Sequence, residues 1–455
     1  AGDNPGLSFS KLFEKTYADD RYISGYFNGI YTFAGKYSFS SSIRIDQSNL
    51  FGTDPKYRYK PLWSVGAAWN IHREEFMQQQ DIFSTLKLRL AYGINGNTSK
   101  SSIPQIVANY ANNLRTSPVS TALELFSLEN AGLRWEETRN LNAGLDFQIG
   151  KHISGNLDYY KRESMELLAA SQIDPTRGAS SAVVNAASIR NHGIELALHA
   201  DWISNKQFNW NTGLVISKNI NKVTNLYLNN KQVSYSYLSN NYVTGYPVGA
   251  MFSYRYAGLD TNGLPLMYDK NGKIKSPGYG TLDEGFDDLV YNGNGIPSIT
   301  MGLSNRIDIG NFYVYAMVDF YGGFKTRIPS TSVNATRPQQ GAENYFKQKG
   351  DEATTSVMGL YPYWLINAYH SYVYSYQDRS VVNGAYFVLR DITVSYNFRK
   401  VKAIQQAGFS NFELKLQATN IGTLALNSEH YSIATGSYLR RKLVPTYTIG
   451  LFTNF

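Results

Sequence analysis

Apolar and polar side chains change places at every second residue over much of this chain. In residues 36–46, Tyr37, Phe39, Ile43 and Ile45 fall on one side of the alternation, and Ser38, Ser40, Ser42, Arg44 and Asp46 on the other. Residues 85–92 set Leu86, Leu88, Leu90 and Tyr92 against Lys87 and Arg89. The same division separates Leu141, Ala143, Leu145 and Phe147 from Asn140, Asn142 and Asp146, and Ile153, Leu157 and Tyr159 from Ser154, Asn156 and Asp158. It recurs with Ile194, Leu196 and Leu198 against Glu195 and His199. Near the end, Phe412, Leu414, Leu416 and Ala418 oppose Asn411, Glu413, Lys415, Gln417 and Thr419. A period of two belongs to β-strands, whose successive side chains point to opposite faces. The polar side carries full charges, more than a dry core accepts. It therefore faces water, and the apolar side faces a core or lipid.

The connections between these strands are of two kinds. Ala34-Gly35, Gly150-Lys151, Ser204-Asn205 and Gly310-Asn311 are very short, and links at 72–83 and 399–410 belong to the same end. Residues 97–133, 165–186, 222–296, 324–383 and 421–444 make long connections at the other end. Short turns on one side and long loops on the other are the asymmetry of an outer-membrane barrel. The last strand, Thr446 to Phe455, alternates in the same way, and its terminal Phe suits the aromatic girdle at the periplasmic interface. The predicted fold class is thus all-β: a transmembrane antiparallel β-barrel with short periplasmic turns and long extracellular loops. We count about thirteen spanning strands, whereas single-chain bacterial barrels have even numbers. An odd sheet is expected not to close on itself. The first residues would lie in an extracellular loop, and further strands and whatever fills the lumen would come from upstream.

Composition removes other readings. The chain has no cysteine, which excludes disulfides, zinc–thiolate sites and a thiol nucleophile. It has no run of about 18 apolar residues, so membrane-spanning helices are excluded, a test to which barrels are invisible. The net charge of +8 invites a nucleic-acid reading. The positive residues are scattered, however, with one tight cluster at Arg440-Arg441-Lys442, and no nucleic-acid partner is expected. Basic residues near an outer-leaflet rim would instead meet the phosphates of outer-membrane lipid. His192 and His199 lie seven apart on one strand and point to opposite faces, so they cannot share a metal. Asp260-Thr261-Asn262-Gly263 and Asp269-Lys270-Asn271-Gly272 lack the spacing of a calcium loop and read as turns, as does the acidic stretch Asp283 to Asp288. No metal or cofactor is expected. No Ser-His-Asp order, carboxylate pair or phosphate loop stands out, so neither is enzymatic activity.

Several segments carry a family resemblance. Leu86-Lys87-Leu88-Arg89-Leu90-Ala91-Tyr92-Gly93-Ile94-Asn95-Gly96-Asn97 resembles the "LKLRxSYGxxGN" strand of the SusC/RagA-type TonB-dependent transporters of Bacteroidota. Glu129 to Glu136 is similar to their "NPxLxWE" lead-in, Asn142 to Phe147 to "NxGLDF", and Gly155 to Tyr160 to "GSxDYY". Asn191-His192-Gly193-Ile194-Glu195-Leu196, Phe208-Asn209-Trp210 and Phe387 to Tyr396 resemble "NxGxEL", "FxW" and "YxRLxxxxLSY". The motifs stand in family order over about residues 25–455. Ala418 to Thr423 departs by lacking an aromatic, and the last strand lacks the family's Arg beside Pro445. The resemblance implies that residues 1–455 are the C-terminal portion of a barrel of about 22 strands, with about nine strands and the plug absent from this chain. It implies TonB-driven import across the outer membrane of oligosaccharides or oligopeptides delivered by a SusD-like surface lipoprotein. The partners implied are that lipoprotein, the upstream plug-containing part, and the TonB complex acting through the plug.

Two sets of residues are candidates for function. Tyr361, Tyr363, Trp364, Tyr369 and Tyr372 lie in a long extracellular connection, where aromatics could stack on cargo, dock the lid protein, or pack on their own loop. Arg44, Asp46, Lys87, Arg89, Asp146, Asp158, Glu195, Glu413 and Lys415 should face the lumen, as a polar path, a plug-docking surface or mutual ion pairs. Two other readings compete with the importer. One is a passive porin assembled from several chains without energy coupling. The other is a soluble β-rich carbohydrate-binding protein, which needs a second sheet over the apolar faces.

Overall fold

A computed structural model describes residues 21–48, 60–97, 106–113, 120–130, 132–172, 174, 176, 181–226, 237–238, 242–277, 286–331, 341–360, 368–399, 401–431 and 444–454. Thirteen strands form one sheet in chain order. They are β1 Tyr22–Phe33, β2 Tyr37–Ser48, β3 Lys60–Asn70, β4 Phe83–Asn97, β5 Glu136–Ile149, β6 Ile153–Gln172 and β7 Ser181–Ser204. The remainder are β8 Phe208–Leu226, β9 Ile299–Ile309, β10 Phe312–Gly322, β11 Tyr386–Asn397, β12 Asn411–Ala425 and β13 Thr446–Asn454. Every neighbouring pair is antiparallel. The order runs from β1 at one edge to β13 at the other, and β13 does not return to β1.

The short links are built from turn chemistry. Ala34 and Gly35 have φ of 51° and 66°, and Lys36 N–H donates to the Phe33 carbonyl at 2.9 Å. This is the primed turn whose twist matches a hairpin. Between β7 and β8, Asn205 Oδ1 accepts from the Gln207 and Phe208 amides at 2.9 and 2.8 Å. The β3–β4 link holds two single-turn helices, Ile71–Arg73 and Glu75–Met77. Glu74 between them accepts from Tyr37 Oη at 2.6 Å, Lys36 Nζ at 2.9 Å and Trp69 Nε1 at 2.9 Å, tying this link to the β1–β2 turn.

Directly paired residues share a face, so the register sorts every side chain. Residues that alternate as apolar in sequence fall together on one face, across all strand pairs. On β7 that face runs from Trp202 through Ala200, Leu198, Leu196 and Ile194 to His192. At about 3.3 Å per residue and a tilt near 40°, this rises about 25 Å, the height of a barrel's apolar band. Its lower border is aromatic: Trp202 and Trp210 lie 6.2 Å apart, and Tyr396, Phe398, Phe409 and Phe412 make a chain of edge contacts. No second sheet covers this face among the described residues. Leu88, Leu90, Ile194 and Leu416 stand exposed on it, and Ile449 is 75% exposed. A soluble sandwich would bury that layer, so the soluble reading fails.

The connection at 165–186 differs from expectation. β6 and β7 continue through most of it, reaching Gln172 and starting at Ser181, across a bulge at Glu166 whose φ is 57°. Asn185 Nδ2 donates to the Glu166 and Arg134 carbonyls at 2.7 and 3.0 Å, satisfying backbone that the bulge leaves unpaired. The strands therefore outlast the apolar alternation from which they were read.

The long-loop end carries a folded cap. A four-stranded sheet unites residues Ala250–Leu259, Pro265–Tyr268, Ile274–Lys275 and Leu289–Asn294. A two-stranded ribbon pairs Lys325–Arg327 with Val381–Asn383, and helix α1 spans Ala368–Ser375. Tyr254, Met267 and Val373 are completely buried there, with Leu238, Leu289 and Tyr376 packed around them. Tyr246, Phe252, Phe286 and Tyr291 form an edge-to-face cluster with centroids 5.0–5.8 Å apart. Most of the best-buried side chains among the described residues lie in this cap, with Val223 on β8 and Ser395 on β11 the exceptions.

Candidate functional site

The face opposite the apolar one is a charged lattice. Arg44 Nε donates to both Asp46 oxygens at 2.7 and 2.8 Å, and its Nη2 to Ser24 Oγ at 3.2 Å. Arg89 is a hub: it grips Asp146 bidentately at 2.9 and 2.7 Å and reaches Asp158 at 3.1 Å. Asn156 Nδ2 adds a bond to Asp158 at 2.9 Å. Glu195 accepts from Ser217 Oγ at 3.5 Å and Glu413 from Ser395 Oγ at 2.6 Å. Lys87 stands opposite Asn70 and Asp146, and Lys415 opposite Ser395 and Gly450. The structure thus brings Arg89, Asp146 and Asp158 into one cluster and Arg44 and Asp46 into another. Glu195 stands directly opposite Asp158 at the edge of the first cluster, and Glu413 and Lys415 lie on the same face farther round the sheet.

Small residues keep the lattice close to the backbone. A Cβ on Gly144 would fall 2.4 Å from Asp158 Oδ1 and 2.6 Å from Arg89 Nη2. A Cβ on Gly193 would meet Tyr160 Oη at 2.6 Å, in the place that lets this hydroxyl cross to Asn219 at 3.0 Å.

Two charged clusters escape the alternation analysis. Arg306 chelates Asp308 at 2.8–3.2 Å and lies 4.0 Å from the Tyr313 ring centroid. The alternation Ser304, Arg306, Asp308 was its available signal. Arg390 reaches Asp319 at 2.8 Å, Asn420 at 3.2 Å and Tyr321 at 3.3 Å. It adjoins Asp391, so strict alternation would assign the two to opposite faces. A register shift between Leu389 and Asp391, opposite Asn420 with φ 52°, turns both side chains to the polar side.

In the cap, Tyr361, Tyr363 and Trp364 lie outside the described residues, as do Phe455 and the Arg440-Arg441-Lys442 cluster. Tyr369 belongs to α1. Tyr372 is exposed on that helix and stacks on Tyr376 with centroids 6.3 Å apart. One face of the helix is committed to packing: His370, Val373 and Tyr374 are buried, and so is Gln377 just beyond it, at the spacing of a helix stripe. Burial lowers the affinity of the His370 imidazole for a proton and raises that of the Tyr374 hydroxyl for its own. Arg327 links the loops by donating to the Phe252 carbonyl at 2.7 Å and Ser253 Oγ at 2.9 Å, under the Tyr376 ring. Desolvation lowers its guanidinium to about 10. Beside it a cavity of about 340 Å³ is lined by Ser330, Tyr374, Gln377, Arg379, Ser380 and Glu429. Gln377 is 4% exposed, and its Oε1 has no hydrogen-bond partner among the described residues.

Asp260 and Asp269 are spent on turns. Asp260 Oδ1 accepts from the Asn262 and Leu264 amides, and Asp269 Oδ1 from those of Asn271 and Lys273, all at 2.8–2.9 Å. Those backbone donors hold the Asp269 carboxyl below its usual range. No group of three metal-ligating side chains exists among the described residues.

Residues 1–286 match the family model for the TonB dependent receptor-like β-barrel. The TonB-dependent receptor SusC of Bacteroides thetaiotaomicron is 30% identical over 327 residues, covering 67% of this chain and 31% of SusC. The TonB-dependent receptor P39 of Formosa agariphila is 25% identical over 460 residues, covering 90% of this chain and 43% of P39. A solved structure of the RagAB peptide importer in its open-open state superposes with a TM-score of 0.78 at 21% identity, over 96% of this chain and 47% of that one. The chain therefore spans between 31% and 47% of the length of these proteins. With the membrane-facing band and the thirteen-stranded order, the matches place it in the outer membrane. The chain belongs to the TonB-dependent receptor family, in its SusC/RagA type.

Proposed function

We propose that these thirteen strands are one part of a larger, plugged barrel that imports oligosaccharides or oligopeptides, delivered by a SusD-like surface lipoprotein and drawn inward through TonB. The carrying observation is the two-faced sheet, whose edge strands among the described residues are β1 and β13: bare apolar side chains on one face, ion-paired polar side chains on the other. Such a sheet is stable only when lipid covers one face and water or plug meets the other. In this reading Arg44, Asp46, Lys87, Arg89, Asp146, Asp158, Glu195, Glu413 and Lys415 line the lumen. The ion pairs among them hold the wall while leaving polar groups to meet plug or cargo. Tyr372 and the Tyr361–Trp364 segment would meet the lid or the cargo, and the Gln377 cavity would receive a hydrogen-bond donor of the cargo. The role is transport rather than catalysis.

Affinity capture from native outer membranes in mild detergent, followed by mass spectrometry, tests this. Co-recovery of plug-containing polypeptide and a surface lipoprotein is expected. Recovery of the chain alone, folded and conducting ions, would instead establish the passive porin.

A further inference from the structure

The upper border of the apolar band is not uniform around the sheet. On β6–β8, the row Leu157–Leu196–Ile216 is apolar, and the next is Tyr159–Ile194–Lys218. Above it come Lys161–His192–Ile220 and then Arg139–Glu163–Arg190–Lys222, which extends to β5. Glu163 pairs with Lys161 at 3.0 Å and Arg190 at 2.9 Å, while Arg139 and Lys60 share Glu137. Six cations, Lys60, Arg139, Lys161, Arg190, Lys218 and Lys222, thus stand against two carboxylates, Glu137 and Glu163. Lys218 and Lys222 are exposed and form no ion pair among the described residues. At the corresponding height β9–β11 present Ile299, Phe320, Gly322 and Phe387. Among the described residues, β5–β8 thus carry an excess of positive charge at a height where β9–β11 are apolar.

We propose that this sector of β5–β8 binds a phosphorylated lipid of the outer leaflet. Its phosphate would sit among Lys161, Arg190, Lys218 and Lys222, and its acyl chains on the Leu157–Leu196–Ile216 row directly below. Lys218 and Lys222, which have no carboxylate partner among the described residues, and Lys161 and Arg190, which share the single Glu163, together attract phosphate at the headgroup level. Continuity with the bare apolar row selects a lipid over a free ion, because the same molecule satisfies both surfaces. Lysine stems also cover apolar surface while their ammonium groups rise to the interface.

The test uses the intact transporter, delipidated and placed in phosphatidylcholine nanodiscs containing bis-phosphorylated lipid A, with retained lipid counted by native mass spectrometry. Wild type should retain lipid A. The triple variant K161Q/K218Q/K222Q should retain at least about tenfold less, since it removes three of the four cations placed around the phosphate. Enzymatically dephosphorylated lipid A should be retained no better than by the variant. Heat-modifiable gel mobility confirms that each protein is folded, and a K206Q control in the exposed β7–β8 link at the other end of the sheet should retain lipid A as wild type does. Equal retention of the two lipid forms, or undiminished retention by the folded triple variant, overturns the site. Equal occupancy by inorganic phosphate alone would overturn the lipid assignment.

Discussion

Which face a side chain takes decides what its replacement costs. Leu416 is exposed on the apolar face, between Val394 and Ile449. Leu416→Arg should lose about 2–4 kcal/mol if it meets the bilayer midplane. Glu413→Gln, on the other face, keeps an acceptor for Ser395 Oγ and should be much milder. Urea unfolding of the transporter in lipid vesicles measures both, and equal losses would refute the facing assignment. Ala34 offers the opposite sign. An L-residue at φ 51° carries left-handed strain that Asn relieves. Ala34→Asn should therefore raise stability by about 0.5–1 kcal/mol in the same assay. At this scale the sequence was legible wherever alternation was strict. Arg44, Arg89, Asp146 and Glu413 fall on the face read from parity alone. Arg390 was not legible, because one bulge breaks parity and nothing local to Arg390 announces it.

Elements are held by different forces at the two ends of the sheet. At the short-link end, Glu74 gathers three donors from two neighbouring links. The hydrogen bond from Tyr37, then those from Lys36 and Trp69, hold its carboxyl down, from 4.5 to about 2. A carboxylate whose folded value is depressed adds stability that is fully present above its ordinary value and is lost as pH falls toward about 2. Between neutral pH and about pH 3, wild type should lose more thermal stability than Glu74→Gln, which should start lower and change less across that window. Parallel melting curves for the two proteins would show that Glu74 does not link the turns. The short links were readable from Gly and Asn at Gly35, Gly150, Asn205 and Gly310. The long ones were not, because their folding depends on contacts between segments far apart in sequence, such as Tyr254 with Tyr376. The aromatic run at 361–376 shows why. Read as loop, it contains a helix whose stripe of His370, Val373 and Tyr374 is packed inward, leaving Tyr372 exposed.

At the scale of the molecule, two structures with separate sources of stability share one chain. The sheet has ladder bonds and ion pairs but no dry interior, and its apolar face awaits lipid. The cap has a conventional core, in which Tyr254, Met267 and Val373 are inaccessible to solvent. An unpaired carboxylate in that core, Val373→Asp, should cost the cap about 4 kcal/mol or more, while no strand of the sheet loses a partner. Limited trypsin digestion of the transporter in vesicles should then cut at cap sites such as Arg255 and Lys270, with the strands protected and heat-modifiable mobility retained. The two loop systems joined by Arg327, Phe252 and Tyr376 would separate, so import should fail although the barrel stands. Loss of heat-modifiability in Val373→Asp would mean that cap and sheet fold as one unit, and that the cap's core also stabilises the membrane wall.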